Sequence, residues 1–140
     1  MRVATTSKVR VSNKATSKVS VASENYPYTE CGGKYKIPVE VKRAAKLGLE
    51  MHKAKFAGGT ETGWARARQL VSCEYVSYRT IKTMKAWFAR HTYTSYPGYR
   101  RWVEDGRPTI PTTSTKNKYR GAVAWLIWGG DPAKKWVSLN

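Results

Sequence analysis

Two histidines, two cysteines and nine acids supply most of what this 140-residue chain offers for acid–base, nucleophilic or metal chemistry. His52 and His91 both fall on apolar helical faces, where an imidazole serves as a packed or helix-capping side chain. A catalytic role would need a nucleophile or carboxylate beside them; Cys73 and Asp131 are the conceivable partners. Cys31 and Cys73 lie far apart in sequence and no CxxC is present, so the pair makes no zinc site alone. They read as two reduced thiols, with a single disulfide as the alternative. Glu104-Asp105 adjoins a Gly-Arg-Pro turn and reads as solvated turn chemistry. Two-metal hydrolysis needs several acids, and this chain has few. Gly58-Gly59 and Gly129-Gly130 lack the Walker spacing and its Lys-Ser/Thr ending. No catalytic residue, metal site or cofactor is expected, and the chain reads as a non-enzyme.

Binding chemistry is better supplied. The sequence has 26 Lys and Arg against 9 Asp and Glu, a formal charge of +17. Such a surplus repels itself in a compact state unless a polyanion neutralises it. Six Trp and nine Tyr accompany only two Phe; Trp and Tyr combine an apolar body with a polar handle and suit contact surfaces.

The elements that must position these groups follow from periodicity. Residues 1–23 are basic, rich in Ser, Thr and Val, and free of acids, which suggests an extended arm. The alternation in KVRV and KVSV would let it add to a partner's sheet edge. No secretory signal is evident there. Residues 24–37 form a turn-rich bridge, so residues 1–37 precede a helical domain over 38–140. Pro38 suits the first turn of a helix running to Gly58-Gly59. Val41, Ala45, Gly48, Leu49, His52 and Phe56 share its apolar face; Lys42, Lys46 and Lys53, with Arg43 beside them, form a basic stripe.

A second helix begins near Thr62, with Trp64, Ala67, Leu70 and Val71 inward. Arg68 falls on that apolar side, paired with Glu74 or Asp131, while Arg66 points away. The third helix is capped by Ser77 and buries Ile81, Met84, Trp87 and Phe88, leaving Arg79 and Lys82 outside. Residues 92–120 show no clear period and read as one long loop, in which Tyr99 and Trp102 interleave with Arg100 and Arg101. Residues 122–128 are apolar all round, as a central buried helix requires. Asp131 then caps a last helix with Pro132 at its first position. Lys134 and Lys135 would sit in its first turn, against the dipole by about 0.3–1 kcal/mol per charge; a docked anion would reverse that sign. No apolar run approaches about 18 residues, so no membrane span is expected. The fold class is mostly α: a compact bundle of four to five short helices, an extended basic N-terminal arm and one long loop.

The segments 65-ARARQL-70, 77-SYRTIKTMKAWFARH-91 and 124-AWLIWGGDPAKKW-136 together resemble a small domain of tailed bacteriophages, including T4-like cyanophages, and of some large DNA viruses. The resemblance spans about residues 44–136. It implies a viral setting and a small domain, and brings no catalytic residues with it. Residues 92–120 depart from it in length and content.

Two functions fit. In the first, the chain binds nucleic acid with low sequence specificity, in the virion or the host cytoplasm. Its polyanion contacts would be Lys42, Arg43, Lys46, Lys53, Arg79, Lys82, Tyr99, Arg100, Arg101, Trp102, Lys134 and Lys135, with phosphates on the cations and bases on the aromatics. In the second, it is a capsid-associated or cementing subunit on an acidic capsid surface, touching neighbouring subunits through residues 1–23.

Overall fold

The structure, a computed structural model, describes residues 31–140. The expected arm, its strand addition to neighbours, and residues 24–30 of the bridge lie outside the described residues. From Cys31 onward the order is β1 (Tyr35–Lys36), α1 (Val39–Lys53), α2 (Glu61–Ser72), β2 (Tyr75–Val76), α3 (Tyr78–His91), α4 (Tyr96–Glu104), α5 (Arg120–Ile127) and α6 (Gly130–Ser138). The mostly helical fold is as the periodicity predicts, but the described residues hold six helices rather than four or five. The two short strands pair antiparallel, with Tyr35 opposite Val76 and Lys36 opposite Tyr75.

Local signals explain most boundaries. Ser77 accepts a hydrogen bond from the Thr80 amide (3.4 Å), the expected N-cap. Thr60 caps α2 in the same way through the Gly63 amide (3.2 Å). Helix α1 ends at Lys53, short of Gly58-Gly59, because Lys55 turns left-handed (φ 83°) and swings Phe56 back into the core.

The unexpected helix is α4, which occupies nine residues of the predicted loop. Pro97-Gly98 reads as a turn in sequence. Here Pro97 lies in the first helical turn, where no amide is needed. Gly98 meets Gly121 of α5; a Cβ at Gly98 would stand 3.0 Å from the Gly121 Cα. The pair of glycines lets α4 and α5 cross backbone to backbone. Residues 105–119 remain irregular and are braced by hydroxyls, including Thr112 and Thr115, whose Oγ1 atoms stand 2.9 Å apart.

Helix α5 is the predicted buried helix. Val123, Trp125, Leu126 and Ile127 are buried; α1, α2, α4 and α6 pack against the helix, and α3 reaches it through Trp87 and Phe88 against Trp125. One apolar cluster joins Val41 and Leu49 (α1), Leu70 (α2), Ile81 and Met84 (α3), Trp102 (α4), Ile127 (α5) and Val137 (α6). Helix α1 approaches α5 so closely that a Cβ on Gly48 would fall 2.7 Å from Ile127 Cγ2 and 2.8 Å from its amide nitrogen. Gly48→Ala is therefore expected to destabilise the protein by about 1–3 kcal/mol in urea denaturation. Alanine's helix propensity, better by about 1 kcal/mol, acts in the opposite direction. Unchanged or increased stability would show that the two helices separate freely.

Cys31 and Cys73 form a disulfide, with Cα atoms 5.4 Å apart and a sequence separation of 42. The expected reduced thiols are thus corrected. Helices α1 and α2 run out and back, and the β1–β2 pair then sets the two cysteines side by side; sequence distance gave no sign of it.

Candidate nucleic-acid interface

The structure separates the predicted contact residues into three groups. Arg43, Lys46 and Lys53 are exposed on α1, Arg79 and Lys82 on α3, Arg100 and Arg101 on α4, and Lys134 and Lys135 on α6. Tyr99 is half-buried. Burial pushes its phenol pKa above the ordinary value, and the Asp131 carboxylate adds to the rise, against a hydrogen bond from Arg107.

Lys42 and Trp102 are structural instead. Lys42 Nζ donates to the carbonyls of Leu70 (3.0 Å), Val71 (3.3 Å) and Cys73, closing the C-terminal end of α2. Those carbonyls are otherwise orphaned, and a cation there also meets the negative end of the helix. Burial pushes the Lys42 ammonium down to about 8, against the pull of Glu74. Its place in the α1 stripe was legible; the helix end packed over it was not. Trp102 is 1% exposed and donates from Nε1 to the Pro108 carbonyl (2.8 Å), so it presents no ring for stacking.

Two further readings change. Arg66, expected outward, turns in: it donates to Gln69 Oε1 and Thr80 Oγ1 and lies over the Trp128 ring, 5.6 Å from its centroid. The buried side of α2 centres on Gly63, Leu70 and Gln69 rather than on Trp64 and Val71, so Arg68 lies off it. At the start of α6 the left-handed Gly129 (φ 102°), not Asp131, is the cap residue, and Asp131 accepts from Trp125 Nε1 (2.8 Å) instead. Lys134 and Lys135 consequently lie beyond the first turn, and the expected penalty against the dipole does not apply to them.

Both histidines are held by aromatic rings. His52 stacks on Trp64 with centroids 4.0 Å apart, and burial, then Lys55, lower its pKa. His91 stacks on Trp87 (4.4 Å) and donates from Nδ1 to the Trp87 carbonyl (2.9 Å). Trp87 stacks in turn on Trp128 (4.9 Å, 12° between planes), so Arg66, Trp128, Trp87 and His91 form one column. Asp105 accepts from the Tyr119 hydroxyl (2.8 Å), with Lys118 Nζ at 3.2 Å; these hold its carboxyl below the usual range. Among the described residues no three His, Cys, Asp or Glu side chains gather as a metal-binding set. No helix among them is long and apolar enough to cross a membrane.

Among the surfaces of the described residues that bring cations and aromatic rings together, two include predicted contact residues beside an aromatic ring in contact with another ring. The first centres on Tyr78, which follows the Ser77 cap and is 46% exposed. Lys82 and Lys85 stand one and two turns further along α3, with their ammonium groups 6.0 and 5.8 Å from the Tyr78 ring centroid. Arg79 is exposed beside them, and Tyr35 of β1 lies 5.8 Å from Tyr78, ring to ring. Helical spacing at 78, 82 and 85 was a usable signal for this patch. The neighbouring Tyr35 was not foreseeable, since it arrives through the β1–β2 pairing.

The second is a cleft of about 410 Å³ where the end of α3, the start of α4, α5 and α6 meet. Thr92, Tyr96, Trp125, Asp131, Lys134, Lys135 and Ser138 line it. Of these, only Lys134 and Lys135 are ligand contacts expected from the sequence. No family model, no curated protein and no solved structure matches this chain.

Proposed function

We propose that the chain is a small basic phage-type protein that binds nucleic acid with low sequence preference, engaging an unpaired strand along α3. The Tyr78 patch carries this reading. An exposed ring beside two ammonium groups and a guanidinium is what a sequence-tolerant strand needs: a π-face for a base and cations for the flanking phosphates. The charge surplus supports it further. Five of the 26 basic residues and two of the nine acids precede residue 31, so the folded domain itself carries 21 basic residues against 7 acids. The likeness of residues 65–70, 77–91 and 124–136 to the phage domain supports a viral setting, in the particle or the host cytoplasm.

Tyr78→Ala is expected to weaken binding to a labelled oligo-dT by roughly tenfold or more, the loss of one stacked base at about 1–3 kcal/mol. Thermal stability should fall only slightly, because the residue is 46% exposed and its ring contacts are Tyr35 and the two flanking lysines. Fluorescence anisotropy on both proteins checks this; equal affinities would place the strand elsewhere.

The disulfide favours a second reading, a capsid-associated or cement subunit on an acidic shell. Such bonds persist on virion surfaces and are rare in a reducing cytoplasm. A count of this chain's peptides in purified particles separates the two: hundreds of copies per particle supports the shell, and absence supports action inside the host.

A further inference from the structure

We propose that the α6 cleft is a pocket for a single guanine nucleotide, read by Asp131 and held by Lys134 and Lys135. This rests on the nucleic-acid reading and adds to it a selectivity that the Tyr78 patch does not have. Asp131 is an exposed acceptor in the cleft lining, and one of its oxygens is tethered: Trp125, fully buried, donates from Nε1 to its Oδ1 at 2.8 Å. Oδ2 has no hydrogen-bond partner among the described residues. A carboxylate offers acceptor sites only. Guanine alone among the bases presents two adjacent donors on its Watson–Crick edge, N1–H and the 2-amino group. Adenine and cytosine set an acceptor beside their amino donor, and uracil flanks its N3–H with two carbonyl oxygens; each turns a lone pair towards the carboxylate.

The remaining walls suit the rest of a nucleotide. Tyr96, half-buried and tilted against Trp125 with centroids 5.1 Å apart, offers a ring edge and face to the base. Lys134 and Lys135 are exposed at the rim, where their ammonium groups would meet a phosphate. The volume of about 410 Å³ falls within the roughly 300–1,000 Å³ range of small-ligand sites. A basic cleft built for phosphate alone would gain nothing from a carboxylate tethered in its lining.

The test is calorimetric titration of the full chain with GMP, IMP, AMP and inorganic phosphate. GMP should bind at least roughly tenfold more tightly than AMP, the discrimination of a good bidentate base contact. IMP, which lacks the 2-amino donor, should fall between them, and inorganic phosphate should be weakest. Asp131→Asn keeps an acceptor for Trp125 and replaces the other oxygen with a donor; it should bring GMP to the level of AMP. The double variant Lys134→Ala, Lys135→Ala should weaken both nucleotides alike. Equal binding of GMP, IMP and AMP to the unaltered protein overturns the assignment without recourse to any variant, as does a guanine preference that survives Asp131→Asn. An all-dT strand and the same strand with one central dG, run in parallel, separate a free nucleotide from a strand-borne base: a gain from the dG assigns the pocket to an unpaired guanine in a strand. Retained dT-strand binding with no guanine preference in any arm sinks this inference alone; loss of strand binding as well sinks the reading beneath it.

Discussion

Removing the Cys31–Cys73 disulfide, by reductant or by Cys31→Ser, is expected to lower stability by about 4 kcal/mol. The bond closes a loop of 42 residues, and the chain-entropy relation for a loop of that length gives this figure. It would be a large fraction of the roughly 5–15 kcal/mol that holds an ordinary domain together. Cys31 is the better position to replace, since it is partly exposed whereas Cys73 is fully buried. Other ties span the same junction: the β1–β2 pair, the Ile37 amide donating to the Glu74 carbonyl (2.9 Å), and Lys42 on the end of α2. They act in the folded state, whereas the disulfide restricts the unfolded one, so the two contributions are separable. Urea denaturation with and without reductant measures the effect. A change below about 1 kcal/mol would show that the unfolded chain already keeps these ends together.

Trp87→Ala is expected to cost about 3–5 kcal/mol, the range for truncating a buried aromatic side chain. Trp87 is the hub of the ring cluster. It stacks on Trp128 and His91, meets Phe88 edge-on (5.2 Å) and lies 5.9 Å from Trp125. Each such pair adds roughly 0.5–1.5 kcal/mol beyond burial. Truncation would leave His91 with only its backbone bond and would separate α3 from the Trp128 ring that Arg66 covers. Denaturation monitored by far-ultraviolet circular dichroism gives the loss, and the near-ultraviolet signal should fall even where the protein remains folded. A loss under about 1.5 kcal/mol would mean that the cluster repacks around the gap.

Much of the helical framework is legible in the sequence because its signals are local. Ser77 before a helical repeat of Ile81, Met84, Trp87 and Phe88, and the unbroken apolar run of α5, need no knowledge of the rest of the chain. Helix α4 was hidden for a tertiary reason: Pro97-Gly98 has the form of a turn, and only the crossing against Gly121 gives that glycine its purpose. The same holds for Lys42 and for the exchange of Arg66 and Arg68. A helical wheel shows which side is apolar; it does not show that a neighbouring helix end covers a lysine, or that Gly63 and Gln69 mark the buried face more truly than Trp64. The proposed interface is legible in kind, as cations interleaved with aromatics. Its composition was not, because Tyr35 and Asp131 reach their places only through pairing and packing of distant segments.

The central claim is that the surplus of positive charge exists to meet phosphates. It is tested most directly by the affinity for a short single-stranded oligonucleotide measured between about 50 and 200 mM salt. With four to six phosphates neutralised, the logarithm of the association constant should fall against the logarithm of salt with a slope of about −3 to −4. A slope near zero, or no binding at the lowest salt, would contradict it.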